Sequence, residues 1–302
     1  MDVIAVINQK GGVGKTTTTI NLAHALALSG QRVLALDLDP QGHLSVGLGL
    51  AERNTPGMDE VLLNGESIKD YIIESRENLD LIPSGPGLAN VEHLTEGGTE
   101  RGLRLKNALK IISKKYDSII FDCPPSAGLL GINALFAAGD IIIPVSSDYL
   151  ALQSLSSFMA TLQFAEKTCK RTMRKHVLMT RYHSQRRLAR EVRDTLQMHF
   201  PKQLMKTSIR ETVALAESPS YGETIFEYKG VKLFPSEIHI LLYIEKGKST
   251  NATNMSNKLG ISKSAVSQTI SRLEKKRVIV KDKDPYNKNE LVISFTSFGK
   301  KA

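Results

Sequence analysis

The 302 residues carry 40 Lys and Arg against 31 Asp and Glu, a net charge of +9, with two cysteines and 41% hydrophobic residues. That length exceeds one ordinary domain and predicts a large unit joined to a small one. The longest apolar runs, such as Val3 to Ile7 and Ile141 to Val145, are strand-sized, so no membrane span of roughly 20 apolar residues is expected. No basic segment precedes the first run and no signal peptide is expected. Cys123 and Cys169 lack companions at metal-ligand spacing, which points to reduced thiols in a cytosol.

Charge is uneven along the chain: net −6 over residues 1–159, +10 over 160–210, −3 over 211–230 and +8 over 231–302. Two basic regions beside an acidic half point to a polyanionic partner, with a solvated helix face as the alternative for either run. In chain order, strands are predicted at Val3 to Asn8, Arg32 to Asp37, Leu79 to Pro83, Ser118 to Asp122, Ile141 to Val145 and His176 to Thr180. Helices are predicted at Thr17 to Ser29, Leu103 to Lys115, Leu150 to Lys170 and Arg187 to His199. This alternation gives an α/β unit with a mainly parallel sheet covered by helices. After Tyr228-Lys229-Gly230 the pattern changes, placing a boundary near residue 230 between units 1–230 and 231–302.

Gly11 to Thr16, preceded by Lys10, follows the first strand and opens the first helix, the context of a phosphate loop. Gly11, Gly12 and Gly14 let the backbone turn tightly and aim N–H groups inward, where the helix N-terminus adds partial positive charge. Lys15 is expected on the β and γ phosphates, and the Thr16 hydroxyl on Mg²⁺. Two acidic strand ends complete the set. Asp122 closes the strand Ser118 to Asp122 and fits a carboxylate that holds Mg²⁺ through water. Asp37 and Asp39 end the second strand one residue apart, on one side of an extended segment, before a Pro-Gln-Gly loop able to respond to a γ-phosphate.

Lys10-Gly11-Gly12-Val13-Gly14-Lys15-Thr16-Thr17 resembles the deviant Walker A motif of the ParA/MinD group of ATPases. Asn8-Gln9, Asp37 to Gly42, Phe121 to Ser126 and Arg187 to Val192 resemble its short ParA or Soj branch, and the likeness runs from residue 1 to about 228. The resemblance implies an ATPase with weak intrinsic turnover that uses ATP and Mg²⁺ and closes into an ATP-sandwich homodimer. Val13 and Thr17 then belong to the nucleotide site, Lys10 reaches the partner's phosphates, Asp39 orients the attacking water, and Asp122 is the Walker B acid. Asp37 supports Mg²⁺ or the switch loop. A transferring phosphoryl group gains from a second cation, so Lys10 also has a physical rationale of its own. The basic stretch, including Arg187, Arg190 and Arg193, is expected to contact DNA without sequence preference. Relatives carry a DNA-contacting arginine where this chain has Ala214, and Arg210 stands to compensate.

In residues 231–302, Pro235-Ser236-Glu237 is expected to open a core helix, Ala252 to Leu259 to form a second, and Lys263 to Lys276, capped by Ser262, a third. Two helices joined at Gly260 give a helix-turn-helix, and alternating segments at Val278 to Lys281 and Leu291 to Thr296 give a wing. Lys263, Ser264, Ser267, Gln268 and Arg272 share the polar side of the third helix, while Lys283 and Lys288 flank the wing and suit phosphates. Leu259 to Gln268 with Leu273 to Lys276 resembles the winged helix of MarR-type repressors, without the long helices by which those repressors dimerise. Together these features imply DNA segregation or cargo positioning by a cytoplasmic, nucleoid-associated ATPase, with DNA and a ParB-like centromere-binding or adaptor protein as partners and no membrane. The alternatives are an ATP-responsive transcriptional regulator, a MinD-type membrane site-selection ATPase lacking the expected amphipathic helix, and an iron–sulfur reductase lacking suitably placed cysteines.

Overall fold

The computed structural model describes residues 1–50, 54–95, 97–126, 128–148, 150–228, 240–241, 243–244, 255–256, 259–276, 279–283 and 291–295. The chain divides into two compact units, Met1–Tyr228 and Lys229–Ala302.

The first unit is built on strands β1 (Asp2–Val6), β2 (Val33–Asp37), β3 (Ile73–Arg76), β4 (Leu79–Ile82), β5 (Ser118–Asp122), β6 (Asp140–Ser146), β7 (Arg174–Tyr182) and β8 (Leu204–Arg210). They lie in the order β3-β4-β2-β5-β1-β6-β7-β8, and only the β3–β4 pair is antiparallel. The helices are α1 (Lys15–Leu28), α2 (His43–Gly47), α3 (Met58–Leu63), α4 (Arg104–Leu109), α5 (Leu129–Ala137), α6 (Leu150–Cys169), α7 (Arg187–His199) and α8 (Val213–Glu217).

Strand alternation sorts the apolar residues into two cores. Ala5, Leu34, Leu36, Ile119, Phe121, Ile141, Ile143, Val177 and Met179 face α3 to α7, whereas Val6, Val33, Ala35, Ile120, Ile142 and Leu178 face α1 and α2. Both faces of the sheet are therefore covered, as a central parallel sheet requires, and polar ligands are left with the crevice at the carboxyl ends of its strands.

The last segment of this unit is tied back onto the sheet edge by Arg76. Its guanidinium donates to both Glu227 carboxylate oxygens at 2.6 and 2.9 Å, and to the carbonyls of Leu48 and Gly222 at 2.9 and 2.8 Å. Thr224 Oγ1 adds a 2.7 Å contact with His24 Nδ1, and the Ile225 amide donates to Asn21. The segment leading to Tyr228 thus packs against α1 and the end of α2.

In the second unit, α9 (Lys263–Lys275) is capped by the Ser262 hydroxyl, which accepts from the Ala265 amide at 3.2 Å. Val266, Ile270 and Leu273 bury against Ile240, Leu241, Ile244, Met255 and Ile279. Strands β9 (Ile279–Lys283) and β10 (Leu291–Phe295) pair antiparallel. The expected first-helix start at Pro235 and the wing tip with Lys288 lie outside the described residues.

Candidate functional site

β1 ends beside β5, and the loop from Lys10 to Gly14 rises at that edge before α1 begins at Lys15. Gly12 and Gly14 take φ of 71° and 86°, a left-handed backbone that an L side chain adopts at a cost, so glycine is required at both. The loop is held at three points: Asn8 Nδ2 donates to the Pro144 carbonyl at 2.7 Å, the Lys10 amide to Asn8 Oδ1 at 3.0 Å, and Thr180 Oγ1 to the Val13 carbonyl at 2.7 Å.

Lys15 is buried, with Nζ 3.3 Å from the Lys10 carbonyl. Burial lowers its pKa, while Asp122, Asp39 and Cys123 pull the other way. Asp37 and Asp122 stand side by side at matching register on neighbouring strands, both buried. Their surroundings differ. Asp37 accepts from the Asp39 amide at 3.2 Å and from the Ser45 amide and hydroxyl at 3.1 Å each, so donors already occupy both of its oxygens. Neither oxygen of Asp122 has a hydrogen-bond partner. Burial and the repulsion of Asp37 push its pKa up, and the Thr16 hydroxyl beside it opposes this without completing a hydrogen bond. Asp39 accepts from the Gln41 amide at 3.0 Å at the start of the loop into α2.

A buried carboxylate without a partner costs several kcal/mol, so its persistence marks a place for a cation. Mg²⁺ suits these donors: it takes few protein oxygens and keeps water and phosphate oxygens in the remainder of its shell. The residues therefore fit Mg²⁺ bound together with a nucleotide. Lys10, expected on a partner's phosphates in the ATP dimer, pairs within this chain with Asp148, which also accepts from Ser146 Oγ at 2.6 Å.

Beside the loop lies a cavity of about 230 Å³ lined by Gly12, Gly14, Thr17, Thr18, Thr180, Arg181 and the stretch from Ile209 to Thr212, with Leu215 and Ala216. Thr18 Oγ1 is buried there without a partner. Gly12, Gly14 and Thr17 were expected here, whereas the stretch from Ile209 to Ala216 was not, because β8 carries no apolar run to announce it. Arg210, expected on DNA, lines this cavity. On α9, Lys263, Ser264, Ser267, Gln268 and Arg272 are exposed, opposite the buried apolar face.

Residues 1–175 match the family described as AAA domain, and residues 233–291 match the MarR family. The chain is 40% identical over 229 residues to the sporulation initiation inhibitor protein Soj of Bacillus subtilis, covering 75% of this chain and 90% of that protein. The chromosome partitioning protein ParA of Myxococcus xanthus is 38% identical over 229 residues, covering 75% and 81%. The chain belongs to the ParA/Soj family of ATPases. Its fold agrees: cobyrinic acid a,c-diamide synthase from Mycobacterium smegmatis, solved with an ATP analog and magnesium, superimposes with a TM-score of 0.66 at 33% identity, covering 74% of this chain and 90% of that one. The likeness to ParA and Soj covers the first unit, and the MarR match makes the second a winged helix. Among the described residues no helix is long and apolar enough to cross a membrane.

In this ParA-type ATPase the basic stretch divides. Arg171 donates to the carbonyls of Leu135, Phe136 and Ala138 at the end of α5, Lys175 pairs with Glu166 and Arg174 with Asp140. Arg187, Arg190 and Arg193 lie exposed on α7, where Ala189, Val192 and Leu196 form the buried face. Arg187 meets Glu191 one turn on, and the Arg193 guanidinium lies 5.7 Å from the Tyr182 ring centroid.

Proposed function

We propose that this ATPase uses ATP and Mg²⁺ to close into a sandwich homodimer that binds DNA, and that its winged helix selects a DNA sequence, in the service of segregating a replicon or positioning a cargo. The observation that carries this reading is the unpartnered Asp122 carboxylate buried beside Lys15 and Thr16. It is a poor arrangement for an isolated protein and a good one for a metal–nucleotide complex. Thr16 and Asp122 are the residues to hold Mg²⁺, whose charge would offset that of the phosphates. Lys15 and the amides of Gly11 to Thr17 bind the phosphates, and the cavity beside the loop receives the base. Asp37, saturated by Ser45 and Asp39, keeps the switch loop in place and leaves Asp39 free to orient water. Lys10 must give up Asp148 to reach a partner's phosphates, which ties its second role to dimerisation.

Relatives named for chromosome partitioning support the cellular role, as does the exposed cation face of α7 for DNA. A ParB-like centromere-binding or adaptor protein is the expected activator, and the nucleoid the expected location. The exposed polar face of α9 also favours an ATP-responsive transcriptional regulator, and DNA binding separates the two readings. One winged helix reads one short half-site, and specific affinity needs two at a fixed spacing, which the ATP dimer supplies. Footprint titrations should therefore protect a two-part site with ATP and little with ADP. Equal site-specific affinity in both nucleotides would overturn ATP-dependent pairing, and operator binding without any affinity for random duplex would leave the regulator.

A further inference from the structure

At the carboxyl end of β7 a second charged cluster surrounds Glu211. Arg181 Nε and Nη2 both donate to Glu211 Oε1, at 2.9 and 2.7 Å. His183 Nε2 lies 3.3 Å and Arg186 Nη1 4.0 Å from the other oxygen. Arg181 holds a left-handed backbone, φ 50°, fixed by the Ser147 hydroxyl on its carbonyl at 2.8 Å. Arg186 directly precedes α7, so the cluster continues into the exposed Arg187 and Arg190.

Exposure separates this cluster from the Lys175–Glu166 pair, whose side chains are only 15% and 17% exposed. Arg181 and Arg186 are 57% and 66% exposed and Glu211 37%, so none of them is needed to fill a core. An exposed ion pair of this kind contributes little to stability and is readily exchanged for another anion. One carboxylate therefore holds two arginines and a histidine where the cavity beside the phosphate loop, which Arg181 and Glu211 also line, meets the exposed cations of α7.

We propose that Glu211 is an internal competitor for duplex phosphates: it occupies Arg181, His183 and Arg186 in the free protein, and a duplex must displace it to bind there. This deepens the DNA-binding reading above and rests on it. The reason for such a device follows from two DNA-binding surfaces on one chain. A genome offers on the order of a million or more non-specific sites, so a strong sequence-independent surface would swamp the winged helix. Glu211 keeps that surface weak. A duplex, which presents many phosphates and releases counterions, can still displace it.

The test uses the full chain with Mg²⁺ and with ATP at a concentration that saturates each variant, because Arg181 and Glu211 also line the cavity beside the phosphate loop, and measures binding to random duplex by fluorescence anisotropy across a salt series. Glu211→Gln keeps a side-chain acceptor for Arg181 and removes the charge. It should tighten random-duplex binding about three- to tenfold near 0.1 M salt and steepen the log–log salt slope by about 0.9 for each additional phosphate engaged. Glu211→Ala should do the same, which guards against an effect private to the amide. Adding Arg181→Gln and Arg186→Gln to Glu211→Gln should return the affinity to wild type or below. If wild type binds random duplex and both Glu211 variants bind it with unchanged affinity and slope, the competitor role fails and the DNA surface stands. If no variant binds random duplex at all, both fail.

Discussion

Two charged regions of this ATPase obey different rules. At the nucleotide end Lys15, Asp37, Asp39 and Asp122 are all buried. There a charge is either satisfied by neighbouring donors, as Asp37 is by Ser45, or buried without a hydrogen-bond partner, as Asp122 is. In the basic stretch most charges lie at the surface, and their contributions are small and separable. The contrast recurs within the stretch itself: Arg171 and Lys175 are committed to partly buried partners, whereas Arg190 and Arg193 are exposed on α7. Net charge counted along a chain therefore measures a field only after the structurally committed cations are subtracted.

The sharpest way to break this contrast is at the buried end. Lys15→Ala should abolish Mg²⁺·ATP binding, read as loss of ATP-induced thermal stabilisation. Asp122→Asn should split stability from function. Removing a buried carboxylate that has no hydrogen-bond partner should stabilise the nucleotide-free chain by about 1–3 kcal/mol while ATP no longer raises its melting temperature. A nucleotide-free Asp122→Asn chain that melts below wild type would show that the neighbouring Lys15 ammonium already compensates the burial of Asp122.

The same groups set a pH dependence. Burial pushes Asp37 up to about 7 against the hydrogen bonds from Ser45 and Asp39, and burial with the repulsion of Asp37 raises Asp122 as well. An acid whose pKa is higher folded than unfolded binds its proton more tightly in the folded chain, so stability falls as pH rises from about 4 towards neutrality. Glu227 works in the opposite sense: against the pull of burial, Arg76 and the Thr224 amide hold it at about 2, and the stability it contributes is lost as pH falls below about 4. Denaturant melts of the nucleotide-free chain should thus weaken between about pH 4 and 7. Asp122→Asn should flatten that decline, and an unchanged slope would remove Asp122 as a cause.

What was legible in the sequence follows the same division. The central strands were readable because both faces are buried and their apolar runs are continuous; β5 begins and ends where expected, and α7 matches at both ends. The two sheet edges were not. β3 reads Ile-Glu-Ser-Arg and β8 is largely exposed, so neither shows a buried run. α5 was missed for the converse reason, since Leu-Leu-Gly-Ile-Asn-Ala-Leu-Phe-Ala is apolar nearly all round and carries no helical period. Missing β8 hid the cavity beside the phosphate loop, which its last residues line, Arg210 among them. The phosphate loop was legible because its chemistry is local. Asp148, which holds Lys10, is 138 residues distant and left no local signal.

Two arginines of the one basic stretch give the smallest and most discriminating test. Arg171 satisfies carbonyls at the end of α5 and adds a cation at that helix C-terminus, so Arg171→Ala should destabilise the fold by about 1–3 kcal/mol. Its affinity for random duplex should not change. Arg190 is exposed on α7, where an alanine is a good helix former, so Arg190→Ala should alter stability by no more than about 0.5 kcal/mol. If Arg190 meets one phosphate, the log–log salt slope for random duplex should become shallower by about 0.9. Denaturant melts and anisotropy titrations on both variants separate the cases. The comparison breaks if Arg171→Ala weakens DNA binding without loss of stability, because that cation would then serve a phosphate rather than the α5 carbonyls, or if Arg190→Ala leaves the salt slope untouched, because exposure alone would then be no guide to a DNA surface.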